Sequence, residues 1–300
     1  MVRKKSVWWP IQLSSAIIAL VGVSSFAQVQ SYPIPFEMPP IIISRFPPPP
    51  DNGTPGNTVG GGIRRTTQEC GIEIPLIALA PTFQEPEPNQ VWSQTTKESP
   101  SLFFYVPYKP ENIKSVEFRL SDSENVPVYK TRNIQIVGTP GLLRIQLPSR
   151  LKNGQPLELD KNYKWNLYLD INCDSSSSGI EPERVSGWLQ RVERPELDRS
   201  LNLAETELER VNLYFEEEIW QDTLTLLAEL RARDMKNNEV TSQWNKLMED
   251  VLSDINIEAM EDVLSDINIE AQDNPEEMKL KIREKLTSAQ FVDPVILEEE

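Results

Sequence analysis

Apolar and polar residues alternate with a period of two through the middle of this 300-residue chain, and with a period near 3.6 beyond Pro195. The clearest alternating run is Tyr163–Ile171. Tyr163, Trp165, Leu167, Leu169 and Ile171 fall on one face and Lys164, Asn166, Tyr168 and Asp170 on the other, as a half-buried strand requires. Val116, Phe118 and Leu120 alternate with Glu117 and Arg119, and Leu143, Ile145 and Leu147 with Arg144 and Gln146; both runs predict strands of antiparallel type. Leu102–Val106, Pro127–Arg132 and Val185–Val192 add further strands, bounded by turn residues such as Gly138-Thr139-Pro140-Gly141 and Asn153-Gly154. Short strands spaced this way predict an antiparallel β-sandwich of fibronectin or immunoglobulin-like kind over residues 64–195.

The helical pattern that follows predicts a separate unit over residues 196–271, α+β overall. Asn202 with Glu205 supplies a cap and capping box, after which Ala204, Leu208, Val211 and Phe215 share one face. Trp220, Leu224, Leu227 and Leu230 form the apolar face of a second helix. The pair predicts an antiparallel hairpin resembling one tetratricopeptide unit, with Val211 where such repeats want glycine. A third helix, starting at Thr241 or Ser242, carries Trp244, Leu247, Met248, Val251 and Leu252. The dodecamer Met248–Ala259 is then repeated without change as Met260–Ala271. Twelve residues turn a helix about 120° beyond whole turns, so the copies cannot share one apolar stripe and one is surplus to the core. Residues 272–300 predict an acidic helix, Glu276–Gln290, and a loose tail from Phe291 to Glu300.

The first 27 residues read as a secretory signal peptide: Arg3, Lys4 and Lys5, an apolar stretch densest from Ile11 to Val23, then Ser25-Phe26-Ala27 for cleavage after Ala27. The alternative is an N-terminal membrane anchor, against which Pro10, Gln12 and four serines dilute the stretch. Residues 28–63 are rich in proline and end in Gly60-Gly61-Gly62, which predicts a semi-rigid spacer with a flexible joint and no packed core. The expected destination is the periplasm or the exterior. In such an oxidising compartment the two cysteines, Cys70 and Cys173, are expected to pair. Free-thiol chemistry is the rival reading, but neither cysteine has an activating histidine or a second cysteine nearby.

Composition narrows the chemistry. The chain has no histidine, which removes histidine-dependent nucleophilic triads, histidine metal ligation and the usual near-neutral proton shuttle. Net charge is −16, and it is unevenly placed: residues 196–300 carry 28 acidic against 10 basic side chains, hence −18, whereas residues 28–195 carry 18 against 17, hence −1. Nucleic acid and electrostatic membrane docking are therefore not expected of the helical half. Asp266, Asn268, Glu270 and Glu277 echo a calcium loop, but Ala271 stands where glycine must turn the chain, and a solvated helix face explains the same carboxylates. Ser149-Arg-Leu-Lys152 matches a Ser-x-x-Lys pattern without its companion motifs, and no carboxylate pair is placed in a cleft as glycoside hydrolysis demands. Trp92, Tyr168 and Trp188 are candidates for sugar stacking. Tyr168 and Trp188 are taken as candidate ligand-contact aromatics, and Tyr168 is the one whose parity favours exposure.

Cys70, Pro75–Pro81, Pro100–Tyr108, Val116–Leu120, Pro140-Gly141, Tyr163-Lys-Trp165, Cys173, Val185–Val192, Leu213-Tyr214 and Ile219-Trp220-Gln-Asp222 together resemble an exported cyanobacterial family known as domain of unknown function 928. The resemblance implies export and a shared architecture, and carries no catalytic residue with it. The expected function is that of an exported, non-enzymatic interaction or scaffold module, with no catalytic, cofactor-binding or metal-ligating residue and no cofactor. Its expected partner is another exported or membrane-anchored protein. The alternatives are a carbohydrate-binding domain for wall or sheath glycans and, third, a histidine-independent hydrolase.

Overall fold

A computed structural model describes residues 56–61, 70–72, 74–83, 90–132, 134–173, 182–254 and 275–298, all within one compact unit, Met38–Glu300. The expected leader, most of the repeated dodecamer and Asp266, Asn268 and Glu270 of the calcium-like set lie outside the described residues.

Two mixed sheets face one another. In the first, β7 (Pro127–Arg132), β6 (Ile113–Asp122), β9 (Asn162–Ile171) and β10 (Glu183–Arg191) are antiparallel neighbours, and β4 (Gln90–Thr95) joins the far edge of β10 in parallel, with β3 (Thr82–Phe83) beside it. The second runs β11 (Val295–Ile296), β8 (Gly141–Gln146), β5 (Ser101–Val106), β2 (Ile77–Ala78). The short strand β1 (Asn57–Gly61) pairs with both β10 and β2 and links the sheets into one path.

Three expectations are corrected here. The strands are not all antiparallel, because β4 runs parallel to β10 and β11 parallel to β8. The spacer expected over 28–63 ends early: Asn57–Gly61 is a paired strand. Glycine serves close approach rather than flexibility at Gly56, where an added Cβ would lie 2.6 Å from that of Val91 and 2.9 Å from the Ser186 carbonyl. The C-terminal segment expected as a loose tail instead packs. Val292 and Leu297 are buried, Phe291 meets Trp244 edge-on at 5.4 Å, and Val295–Ile296 fills an open edge of β8.

The inter-sheet core takes the inward residues the alternation predicts: Val116, Phe118 and Leu120 from β6, Trp165, Leu167 and Leu169 from β9, Val185 and Leu189 from β10. They meet Leu102, Phe104, Leu143 and Ile145 from the second sheet, with Phe104 edge-on to Trp165 at 5.7 Å. Each fully buried side chain of this size contributes about 1.5–3 kcal/mol. The disulfide Cys70–Cys173, with Cα atoms 5.0 Å apart, ties the segment before β2 to the end of β9.

Every residue of β5 is buried, which alternation alone does not explain. Leu102, Phe104 and Val106 point between the sheets, whereas Phe103 and Tyr105 point outward into a second core. Helices cover that side. They are α1 (Pro195–Leu203), α2 (Glu207–Glu216), α3 (Trp220–Arg233), α4 (Asn238–Asp254) and α5 (Pro275–Ser288). Leu224 and Leu227 of α3, Trp244, Leu247, Met248, Val251 and Leu252 of α4, and Met278, Ile282 and Leu286 of α5 share one cluster with Phe103, Tyr105 and Leu142 of the sheets. The helical layer and the second sheet thus bury one another's apolar faces.

Capping residues set the helix boundaries, and three differ from expectation. Pro195 at the first helical position starts a helix about two turns before Asn202. The capping box is made by Thr206 and Glu209, which have the Ser/Thr-x-x-Glu form that Asn202 and Glu205 lack. Asn237 accepts from the amides of Glu239 and Val240 and starts α4 ahead of Thr241.

Candidate binding face

The outward residues of the first sheet form the candidate site, and strand register places them. Arg184 of β10 lies opposite Tyr168 of β9, Tyr168 opposite Glu117 of β6, and Glu117 opposite Arg132 of β7. In the adjacent row Ser186 faces Asn166, Asn166 faces Arg119, and Arg119 faces Lys130. Lys164 follows opposite Trp188. The second sheet spends its outer face on the helices, whereas this face, although Asn166, Ser186 and Trp188 are buried, stays open at its cations: the side chains of Arg119, Lys130 and Arg132 are 41%, 38% and 64% exposed, and Arg184 is exposed.

Five cations, Arg119, Lys130, Arg132, Lys164 and Arg184, share the face with two carboxylates, Glu117 and Asp170. Glu117 is the hub. Burial works against its charged form, but bonds from Arg119, Lys130 (3.3 Å) and Arg132 (2.7 Å) outweigh that and hold the carboxyl below the usual range. One carboxylate cannot neutralise three cations, so a positive excess remains. Burial, with help from neighbouring Arg184, lowers the Lys164 ammonium from its ordinary value.

The two aromatics expected to contact ligand part company. Tyr168 is half-buried at the centre of the cationic face, with the Arg119 guanidinium 4.6 Å from its ring centroid. Trp188 is instead 3% exposed and belongs to the helix-side core, because the alternation that turns it outward also turns it toward Trp92 and the cluster behind it. Its ring lies under Lys164, whose Nζ is 5.6 Å from the centroid. Trp92 is likewise buried, edge-on to Phe83 at 6.5 Å. Ser149 and Lys152 fall in an exposed turn after β8. Among the described residues, no group of three or more aspartate, glutamate or cysteine side chains is arranged to hold a metal ion.

A second charged region lies where α2 and α3 meet the ends of β5 and β8: a cleft of roughly 300 Å³ whose lining includes Lys97, Ser101, Arg144, Arg210, Tyr214, Asp222 and Glu229. Its floor is the joint between helices and sheets. The Trp220 indole donates to the Leu79 carbonyl at 3.0 Å and the Gln221 amide to Ser93 Oγ at 3.0 Å. The Asp222 carboxylate accepts from Thr95 Oγ1, the Thr96 amide and Thr96 Oγ1 at 3.1, 2.7 and 2.9 Å. Asp222 is 4% exposed, and burial raises its carboxyl above the ordinary value despite those donors and nearby Lys97. The run Trp220-Gln221-Asp222 is therefore a docking element.

Only part of the cationic face was legible beforehand. Periodicity turns Glu117, Arg119, Lys164 and Tyr168 outward, but which strand lies beside which is set by pairings that a single sequence does not encode locally.

Fold and site together define a β-sandwich carrying a packed helical layer, with an open cationic face and a polar cleft at the helix–sheet joint. The model of the family described as Domain of Unknown Function (DUF928) matches residues 59–260, and the chain belongs to that family. No curated protein and no solved structure matches it.

Proposed function

We propose that this chain is an exported, non-enzymatic interaction module, released by cleavage after Ala27, whose cationic sheet face receives an acidic surface of another exported or membrane-anchored protein. One observation carries the reading: five cations gather on the open face of a chain whose net charge is −16. That inversion favours anionic partners at this face and repels them from the helical layer. The Cys70–Cys173 disulfide supports an oxidising compartment, and no helix among the described residues is long and apolar enough to cross a membrane.

A photo-crosslinker at Ser121, opposite Lys164 on the same face, tests this in living cells. The expected result is a discrete set of protein adducts that falls about tenfold in an Arg119→Glu/Arg132→Glu variant and in raised salt. Adducts indifferent to both changes, or none at all, overturn the reading. A second reading, a carbohydrate-binding domain for acidic wall or sheath glycans, is favoured by the placement of Tyr168 amid the cations. Retention on uronate-rich polysaccharide that Tyr168→Ala abolishes would select it over the protein partner.

A further inference from the structure

The cleft between α2, α3 and the sheet ends is a separate site, built of different residues from the sheet face, and its donors are only partly used. Lys97 Nζ donates to the Tyr214 hydroxyl at 2.9 Å, and the ammonium, 5.4 Å from the Tyr214 ring centroid, has further protons to give. Arg144 donates through Nε to Ser101 Oγ and through Nη1 to Glu229, both at 2.8 Å, leaving Nη2 with no bond among the described residues. Arg210, on α2, makes no ion pair or side-chain hydrogen bond among the described residues, although it lines the same cleft. Three elements, the loop after β4, strand β8 and helix α2, thus converge unused cationic donors on one space.

The carboxylates present decide what that space accepts. Asp222 and Glu229 also line it, so three cations face two carboxylates and the lining carries one uncompensated positive charge. That matches a monoanion. A dianion such as sulfate would leave the filled cleft with a net charge of −1. Guanidinium groups present paired N–H donors that fit a carboxylate, and Arg144 already gives one such donor to Glu229. At roughly 300 Å³ the cleft lies at the small end of ligand sites, and Pro100 and Leu226 add apolar wall.

We infer that this cleft binds a single carboxylate group, presented by the C-terminus of a peptide or by a small organic acid, with Arg210, Arg144 and Lys97 as the recognising cations. The inference is independent of the sheet-face reading, because none of these residues lies on that face.

Side-chain Nε–Hε NMR of the full mature chain tests it, with acetate, acetyl-Gly-Leu bearing a free carboxylate, the same peptide amidated, and sulfate as probes. Acetate and the free-carboxylate peptide are expected to shift the Arg210 and Arg144 signals, with Arg210→Gln weakening either by about tenfold. The free peptide binding more tightly than acetate identifies a chain terminus; equal binding identifies a small acid. An amidated peptide or sulfate that binds as well as the carboxylate probes overturns the assignment, as does a response unchanged in Arg210→Gln or absent altogether.

Discussion

Removal of the Cys70–Cys173 bridge, by replacing both cysteines with serine, should destabilise the protein mainly through its unfolded state. The two residues are 103 apart in sequence, and closing a loop of that length removes about 4.7 kcal/mol of chain entropy from the unfolded ensemble at 25 °C. Both cysteines are only half-buried, so the serines themselves add little. Set against a domain stability of about 5–15 kcal/mol, the loss ranges from a third to nearly all of it. Equilibrium urea unfolding of oxidised wild type and the double-serine variant measures it directly. With a slope near 3 kcal/mol/M the midpoint should fall by about 1.5 M, and the slope itself should rise because the uncrosslinked chain exposes more surface. A difference below about 1 kcal/mol at unchanged slope would refute the reasoning, since it would place the unfolded chain's long loop already closed without the bridge.

Two further outcomes follow from buried contacts. Burial raises the Asp222 carboxyl, so the native state keeps its proton to higher pH than the unfolded chain does; the group's contribution is full below the ordinary carboxylate value near 4 and declines as pH climbs through the raised one. Unfolding free energies at pH 4.5, 6 and 7.5 should therefore show the advantage of wild type over Asp222→Asn shrinking as pH rises, and a gap that widens instead would mean the charged form is the stabilising one. Gly187→Ala puts a Cβ 2.5 Å from Trp165 Cζ2 and 2.6 Å from Val91 Cγ1, both in a core with no slack, and should cost about 1–3 kcal/mol; an unchanged thermal midpoint would contradict the packing.

The sequence was most informative where one face of an element meets solvent. Tyr163–Ile171 alternates because its outer face is open, and its inward set is the set found buried. It was least informative where partners distant in sequence decide the outcome. Leu102–Val106 reads as an apolar run whether it is sandwiched between a sheet and helices or lies in any other buried strand, and only the helices packed on Phe103 and Tyr105 explain it. Asn57–Gly61 and Val295–Ile296 carry weak local signals, glycine in one and a run of only two residues in the other; each becomes a strand because an edge of β10, β2 or β8 is open to receive it. Asp222 looks like any helical carboxylate until Thr95 and Thr96, more than a hundred residues earlier, are brought to it.

The same distinction between local and distributed information governs how charge should be read in this protein. A net charge of −16 describes the field at long range, where an approaching polyanion meets repulsion from the acidic helices. Within a screening length of about 8 Å at physiological salt, only the nearest side chains count, and on the open face these are Arg119, Lys130, Arg132, Lys164 and Arg184. Salt therefore acts on such an encounter twice. Modest amounts relieve the long-range repulsion before they erode the short-range attraction, whereas high amounts screen both. A surface governed by net charge alone would tighten steadily on acidic partners as salt rises; one governed by the local cations passes through an optimum and then loses them.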